Sequence, residues 1–141
     1  MKTKMPLPTV TLKSPIGFIN DKRRDGWKLL ENTPVDGNPE LELVEFLKGD
    51  EWFVGGYMIL EKTLKFGNRA GQQHAERLLS QQDSIPKEWR EYHLVFPGTK
   101  WSNFNGDTCV PCLSWNRVEW FLDWIWLGSK WGFSGCFVRC K

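Results

Sequence analysis

The sequence predicts an α+β domain: a helical hairpin followed by a tryptophan-rich antiparallel β-meander, with a small open barrel as the alternative form of that meander. Three observations carry this expectation. Between Trp101 and Trp131 the chain places six of its nine tryptophans. Within that stretch Val118, Trp120, Leu122, Trp124 and Trp126 recur at every second residue, the period that lines one face of a strand. Upstream, from about residue 55 to 83, apolar residues recur at intervals of three and four, the period of a helix.

A chain of 141 residues fits a single domain spanning 1–141, large enough to bury roughly two thirds of the surface its unfolded form exposes. Its 26% charged and 40% hydrophobic residues exclude a disordered or fibrous chain. Residues 1–40 read as an irregular basic segment, because Pro6, Pro8, Pro15, Gly17, Gly26, Pro34, Gly37 and Pro39 leave room only for short extended pieces at residues 9–12 and 27–30. Up to residue 28 this segment carries Lys2, Lys4, Lys13, Lys22, Arg23, Arg24 and Lys28 against Asp21 and Asp25 alone. The whole chain has a net charge of only +2, so the field for steering onto a polyanion is weak outside this arm.

Residues 41–47 carry two patterns. Asn38 as cap, Pro39 in the first turn and Gly49 after the end describe a short helix, whereas Leu41, Leu43 and Glu45 alternate as a strand would. The balance tips to a helix or a single irregular segment. In the helical stretch, Tyr57, Met58, Glu61, Leu64 and Lys65 form one stripe, Gly67-Asn68 breaks it, and Ala75, Leu78 and Leu79 form the next until Pro86 stops it. This hairpin is preferred over a helix-turn-helix, because Glu76 and Asp83 suit a recognition helix poorly against phosphates.

Residues 91–140 form the meander. A strand at 92–96 is halted by Pro97-Gly98, and Asn105-Gly106-Asp107 supplies a turn. A strand follows at 108–115, which Pro111 places at an edge or a bulge. The longest strand runs from 118 to 127, and the last from 136 to 140.

The segments Leu41-Glu-Leu-Val-Glu-Phe-Leu, Gly71-Gln-Gln-His-Ala-Glu-Arg-Leu-Leu, Ile85-Pro86 and Leu94-Val-Phe-Pro-Gly-Thr, with Val110-Pro111, Trp115, Trp120, Trp126 and Phe137-Val-Arg, resemble a family of small uncharacterised bacterial proteins. The resemblance covers about residues 25 to 140. It implies a bacterial or mobile-element origin and brings no activity, catalytic residue or ligand.

The sharpest chemical motif is Cys109-Val-Pro-Cys112 followed, after 23 residues, by Cys136-Phe-Val-Arg-Cys140. Four thiolates in two close pairs can hold tetrahedral zinc. Two features oppose it. Residues 109 and 112 point to opposite faces of a regular strand, and the second pair has three residues between its cysteines. Buried reduced thiols and no cofactor are the expectation.

The titratable groups His74, His93, Glu76, Asp107, Glu119 and Asp123 show no spacing of an acid-base pair. There is no His-Glu-x-x-His, nor a glycine-rich phosphate loop between strand and helix, so no catalytic residue is assigned. Strand periodicity assigns Trp115, Trp120, Trp124 and Trp126 to the core. Trp101 and Trp131, in glycine- and serine-rich surroundings, with Arg117 and Lys130 nearby, are the candidate partner surface.

The functional expectation is a non-catalytic binding module with a protein partner. The alternative is a nucleic-acid-binding module using the basic arm, exposed tryptophans and a four-cysteine zinc site; an enzyme of unrecognised chemistry comes third. No signal peptide or apolar stretch of about 20 residues is present, which points to the cytoplasm and away from the membrane.

Overall fold

A computed structural model describes residues 7–12, 18–45, 54–55, 67–128, 130–131 and 135–141; for 54–55 and 130–131 only the backbone is described. Its strands are β1 (Val10–Thr11), β2 (Lys28–Asn32), β3 (Glu40–Glu45), β4 (Val54–Gly55), β5 (His93–Val95), β6 (Thr99–Ser102), β7 (Thr108–Trp115), β8 (Trp120–Trp126), β9 (Lys130–Trp131) and β10 (Gly135–Cys140). The single α-helix among the described residues is α1 (Gln72–Ser80). None of their helices is long and apolar enough to cross a membrane.

The predicted helical hairpin and meander are overturned. Eight strands form one mixed sheet, ordered β1-β3-β10-β5-β7-β6-β2 with β8 on β7, and the sheet does not close. Among the described residues the second helix of the hairpin is present; residues 56–66, which carried most of the first, lie outside them, and Val54–Gly55 pairs with β9 as a strand. Residues 40–45 are β3 and not a helix. There the alternation of Leu41 and Leu43 prevails over the cap pattern, because β1 and β10 supply ladder partners on both sides.

The meander fails at β10, which lies antiparallel to β3 but parallel to β5. A parallel neighbour needs a long crossover. Here the chain makes β6, β7, β8 and β9 before it returns.

The centre of the sheet is a fork. β5 and β6, separated by the Pro97-Gly98 turn, both lie along β7 (Leu94 opposite Leu113, Trp101 opposite Cys109). On their other side β10 pairs with β5 and β2 with β6, so the sheet splits there. Residues 68–70 run into the split: Gly98 N–H donates to Ala70 O (2.8 Å), Ala70 N–H to Val138 O (3.1 Å) and Cys140 N–H to Asn68 O (2.8 Å). Gly98 permits this approach, since a Cβ there would sit 2.8 Å from Arg69 O and 2.9 Å from Ala70 O.

The same bend explains Pro111, expected at an edge or a bulge and found inside the sheet. Its carbonyl accepts the Phe96 N–H (2.9 Å). Its missing N–H therefore faces the Pro97-Gly98 turn, where no ladder carbonyl waits.

Helix α1 closes one face of the sheet. Ala75 and Leu78 pack with Leu41, Leu94, Phe96, Leu113, Trp120 and Val138, and Trp89 joins them from the 3₁₀ turn Lys87–Glu91. Val95, Val110, Cys112 and Phe137 alternate onto the opposite face and are buried as well. The centre of the sheet is thus a two-sided core.

The helix start is built by tertiary contacts. Gly71 has no side chain to cap it, so Thr99 Oγ1 from β6 accepts the Gln72 N–H (2.8 Å) and His74 Nδ1 accepts the Gly71 N–H (2.9 Å). A Cβ on Gly71 would collide with Thr99 Oγ1.

Candidate functional site

The residues singled out from sequence are not brought together. Trp101 sits in β6, fully buried, where its Nε1–H donates to Gln72 Oε1 (2.7 Å). It is a core residue, because the serine and glycine around it belong to strand ends and turns. Arg117 is exposed at the β7–β8 turn with φ 80°. Lys130 and Trp131 form β9 opposite Gly55 and Val54, and their side chains lie outside the described residues.

The four tryptophans assigned to the core also divide. Trp120 is buried and Trp115 and Trp124 are half-buried, but Trp126 is 49% exposed. It keeps the parity of Trp120 but stands at the far end of β8, opposite Cys109.

Among the described residues, Ile19, Leu30 and Phe104 are exposed apolar side chains scattered over other elements, and three more share one hairpin. Val118 (80%), Phe121 (41%) and Trp126 all lie on the β7–β8 hairpin. β8 has β7 as its one strand neighbour among the described residues. Its even-numbered residues turn their backbone groups outward, as Trp120 shows: Gln82 Oε1 accepts its N–H (3.0 Å) and Gln82 Nε2 donates to its carbonyl (3.3 Å).

A side-chain amide thus stands in for the next strand at one end of the edge. Further along, Asp123 Oδ1 accepts the Trp124 N–H (2.8 Å). Beside the Gln82 end an open groove of about 520 Å³ is lined by Leu79, Gln82, Asp83, Ser84 and Glu119 among others.

A second cleft, of about 310 Å³, opens at the fork between Thr33, Asp36, Asn68, Arg69, His74 and Cys140. His74 Nε2 lies 3.5 Å from Cys140 Sγ, a pairing that a separation of 66 positions hides in the sequence. It resembles a nucleophile with its base, but the protons are placed the wrong way. Nδ1 accepts from Gly71, so the ring proton sits on Nε2 and is donated toward sulfur.

The energetics agree with the geometry. Burial, then the charge of Arg77, pushes His74 down to about 4, and burial pushes the Cys140 thiol up. A neutral imidazole holding a neutral thiol is structural, since the thiolate is the reactive form.

The remaining polar groups of α1 are equally committed. Glu76 accepts the N–H groups of Ile19 and Asn20 and the Asn20 side-chain amide. Gln72 Oε1 accepts the Trp124 indole (3.2 Å) as well as that of Trp101, while Gln72 Nε2 donates to Asn20 O (2.6 Å). These bonds fasten the amino-terminal segment to the helix.

Of the cysteines, Cys109 faces the helix side of β7 and Cys112 the opposite side, while Cys136 and Cys140 face the helix. The register thus directs the two thiols of the first pair apart. Burial, with Asp123 beside it, pushes Cys112 up to about 12.

Comparison with protein-family models, with curated proteins and with solved structures found no match. The functional reading rests on the geometry of this chain alone.

Proposed function

We propose that the protein is a non-catalytic binding module whose partner is a protein, held along the open side of the β7–β8 hairpin. The observation that carries this reading is the partial exposure of Phe121 and Trp126 along β8, with Val118 exposed in the turn before it, on a strand that has β7 as its one strand neighbour among the described residues. Aromatic side chains beside an edge strand suit an extended segment of another chain: backbone groups supply hydrogen bonds and the rings supply buried area. The basic arm favours nucleic acid less than its composition suggests. Lys22 is paired with Asp25 (2.9 Å) and Arg23 with Asp21 (2.7 Å), so two of its charges are already answered.

The test is affinity purification from cells with the wild-type chain and with Phe121→Ser/Trp126→Ser, the fold of each checked by circular dichroism. One protein in stoichiometric yield on the wild type and absent from the folded double variant is the expected result. Equal recovery on both would overturn the assignment to this hairpin. Salt-sensitive binding of mixed oligonucleotides with no protein retained would favour the nucleic-acid reading instead.

A further inference from the structure

Lys22 is held in a corner between two indoles and a carboxylate. Its Nζ lies 4.4 Å from the ring centroid of Trp27 and 4.8 Å from that of Trp124. The two indoles stand 6.0 Å apart at 69°, forming the walls of a corner, and Asp25 Oδ2 lies 2.9 Å from the ammonium. Only 20% of the Lys22 side chain is exposed, whereas a surface lysine ordinarily extends its head into water.

We propose that Trp27 and Trp124 form a cage for an alkylated ammonium group, which Lys22 fills when no such ligand is bound. One wall, Trp124, belongs to a different element from the plug, while Trp27 follows the plug's turn and donates its N–H to Lys22 O (3.1 Å). Trp124 is fixed by the β8 ladder opposite Pro111 and by its Nε1–H bond to Gln72 Oε1. Lys22 comes from a four-residue 3₁₀ turn, Lys22–Asp25, ended by Gly26 at φ 83°. The turn can release its side chain while the strand keeps its own.

The chemistry of the corner selects the ligand. A primary ammonium has three N–H groups to satisfy, and here Asp25 answers one while both walls offer only π faces. A methylated or quaternary ammonium carries fewer N–H donors or none, is less strongly hydrated and is attracted by the same two faces, with Asp25 supplying the counter-charge. Such a group therefore loses less on entering than Lys22 does. Lys22 has the advantage of being tethered, which gives it an effective concentration on the order of millimolar. The site stands on this geometry and does not depend on which surface holds a protein partner.

The probe is tetramethylammonium chloride, titrated against matched sodium chloride and followed by the indole Nε1–H signals of Trp27 and Trp124. Lys22→Ala should bind it saturably, about tenfold or more tighter than wild type once the tethered competitor is gone, and Lys22→Ala/Trp27→Ala should not bind. Lys22→Met, which refills the corner with an uncharged chain, should bind as weakly as wild type. Trimethyllysine amide and choline, run in parallel on Lys22→Ala, distinguish a modified side chain from a choline compound as the source of the group. Binding to wild type and Lys22→Ala with equal affinity, or none to Lys22→Ala, overturns the proposal.

A measurement on the wild type keeps the proposal testable if Lys22→Ala fails to fold. The ε-methylene protons of Lys22 should be ring-current shifted at rest and return toward ordinary lysine positions as tetramethylammonium is added. Unshifted protons at rest, or shifted protons that tetramethylammonium leaves in place, would refute it.

Discussion

Replacing Gln72 by leucine should be among the most damaging single changes in α1, although the position is polar and the replacement is apolar. The Gln72 Oε1 accepts the Trp101 and Trp124 indole N–H groups at 2.7 and 3.2 Å, and its Nε2 donates to Asn20 O at 2.6 Å. Leucine fills similar volume but leaves all three partners without this bond. Trp101 is fully buried, so its N–H bears the whole desolvation penalty, roughly 1–3 kcal/mol. Trp124 is half-buried and loses only part of that.

The Asn20 carbonyl can turn to water, so the expected loss is about 2–5 kcal/mol in total. A chain of this size loses roughly 3–5 °C of Tm per kcal/mol, so the melting point should fall by about 6–25 °C. Urea unfolding, followed by tryptophan fluorescence, measures the loss directly. Gln72→Glu is the sharper control: its carboxylate can accept both indoles but presents an oxygen to Asn20 O, so it should lie between wild type and leucine. A Gln72→Leu protein within about 0.5 kcal/mol of wild type, the usual range for an uninvolved surface change, would refute the view that these tryptophans are held through one amide.

Three further outcomes are expected. The fold holds His74 at about 4 against an ordinary 6.5, so it favours the neutral ring: this contribution is complete above pH 6.5 and is lost as the pH falls toward 4. Its upper limit is about 3 kcal/mol, and urea titrations at about pH 7.5 and 4.5, on either side of most of that window, should show a smaller loss in His74→Gln than in wild type. Gly98→Ala drives a methyl group against the backbone of Arg69 and Ala70 and should cost about 1–3 kcal/mol, read as a lowered urea midpoint. Under native conditions iodoacetamide should label half-exposed Cys140 before buried Cys112 and Cys136, as peptide mass spectrometry would show; the opposite order would contradict the cleft geometry.

The β7–β8 hairpin is legible in the sequence because alternation from Thr108 to Trp126 and the Asn116-Arg117 turn agree on one local structure. Strand period alone does not reveal where the core stops along a strand, so it groups Trp126 with Trp120 although only Trp120 reaches the helix face. Trp101 is misread through its neighbours. Pro97-Gly98 reads as the end of a strand, yet Thr99 and Trp101 alternate just beyond it, both fully buried, and that period is the available signal. Nothing local announces Gln72 as an indole acceptor or His74 as the partner of Cys140, because these contacts join residues 29, 52 and 66 positions apart. The mixed topology is beyond pattern reading for the same reason: β10 takes its place by pairing with β3 and β5, both made long before it.

That last pairing imposes an order on the birth of the molecule. A chain emerging from the ribosome makes β3 early and β5 in mid-course, and each must wait for residues 135–140 to seal the edge it turns toward the other. During that interval two unpaired strand edges stand open, the condition in which nascent proteins pair wrongly with one another. Pairings that span nearly a hundred residues, such as Arg139 with Glu42, also place the chain among slow folders. Yield in cells should therefore depend on chaperone supply and synthesis rate more than the finished protein's resistance to urea would suggest.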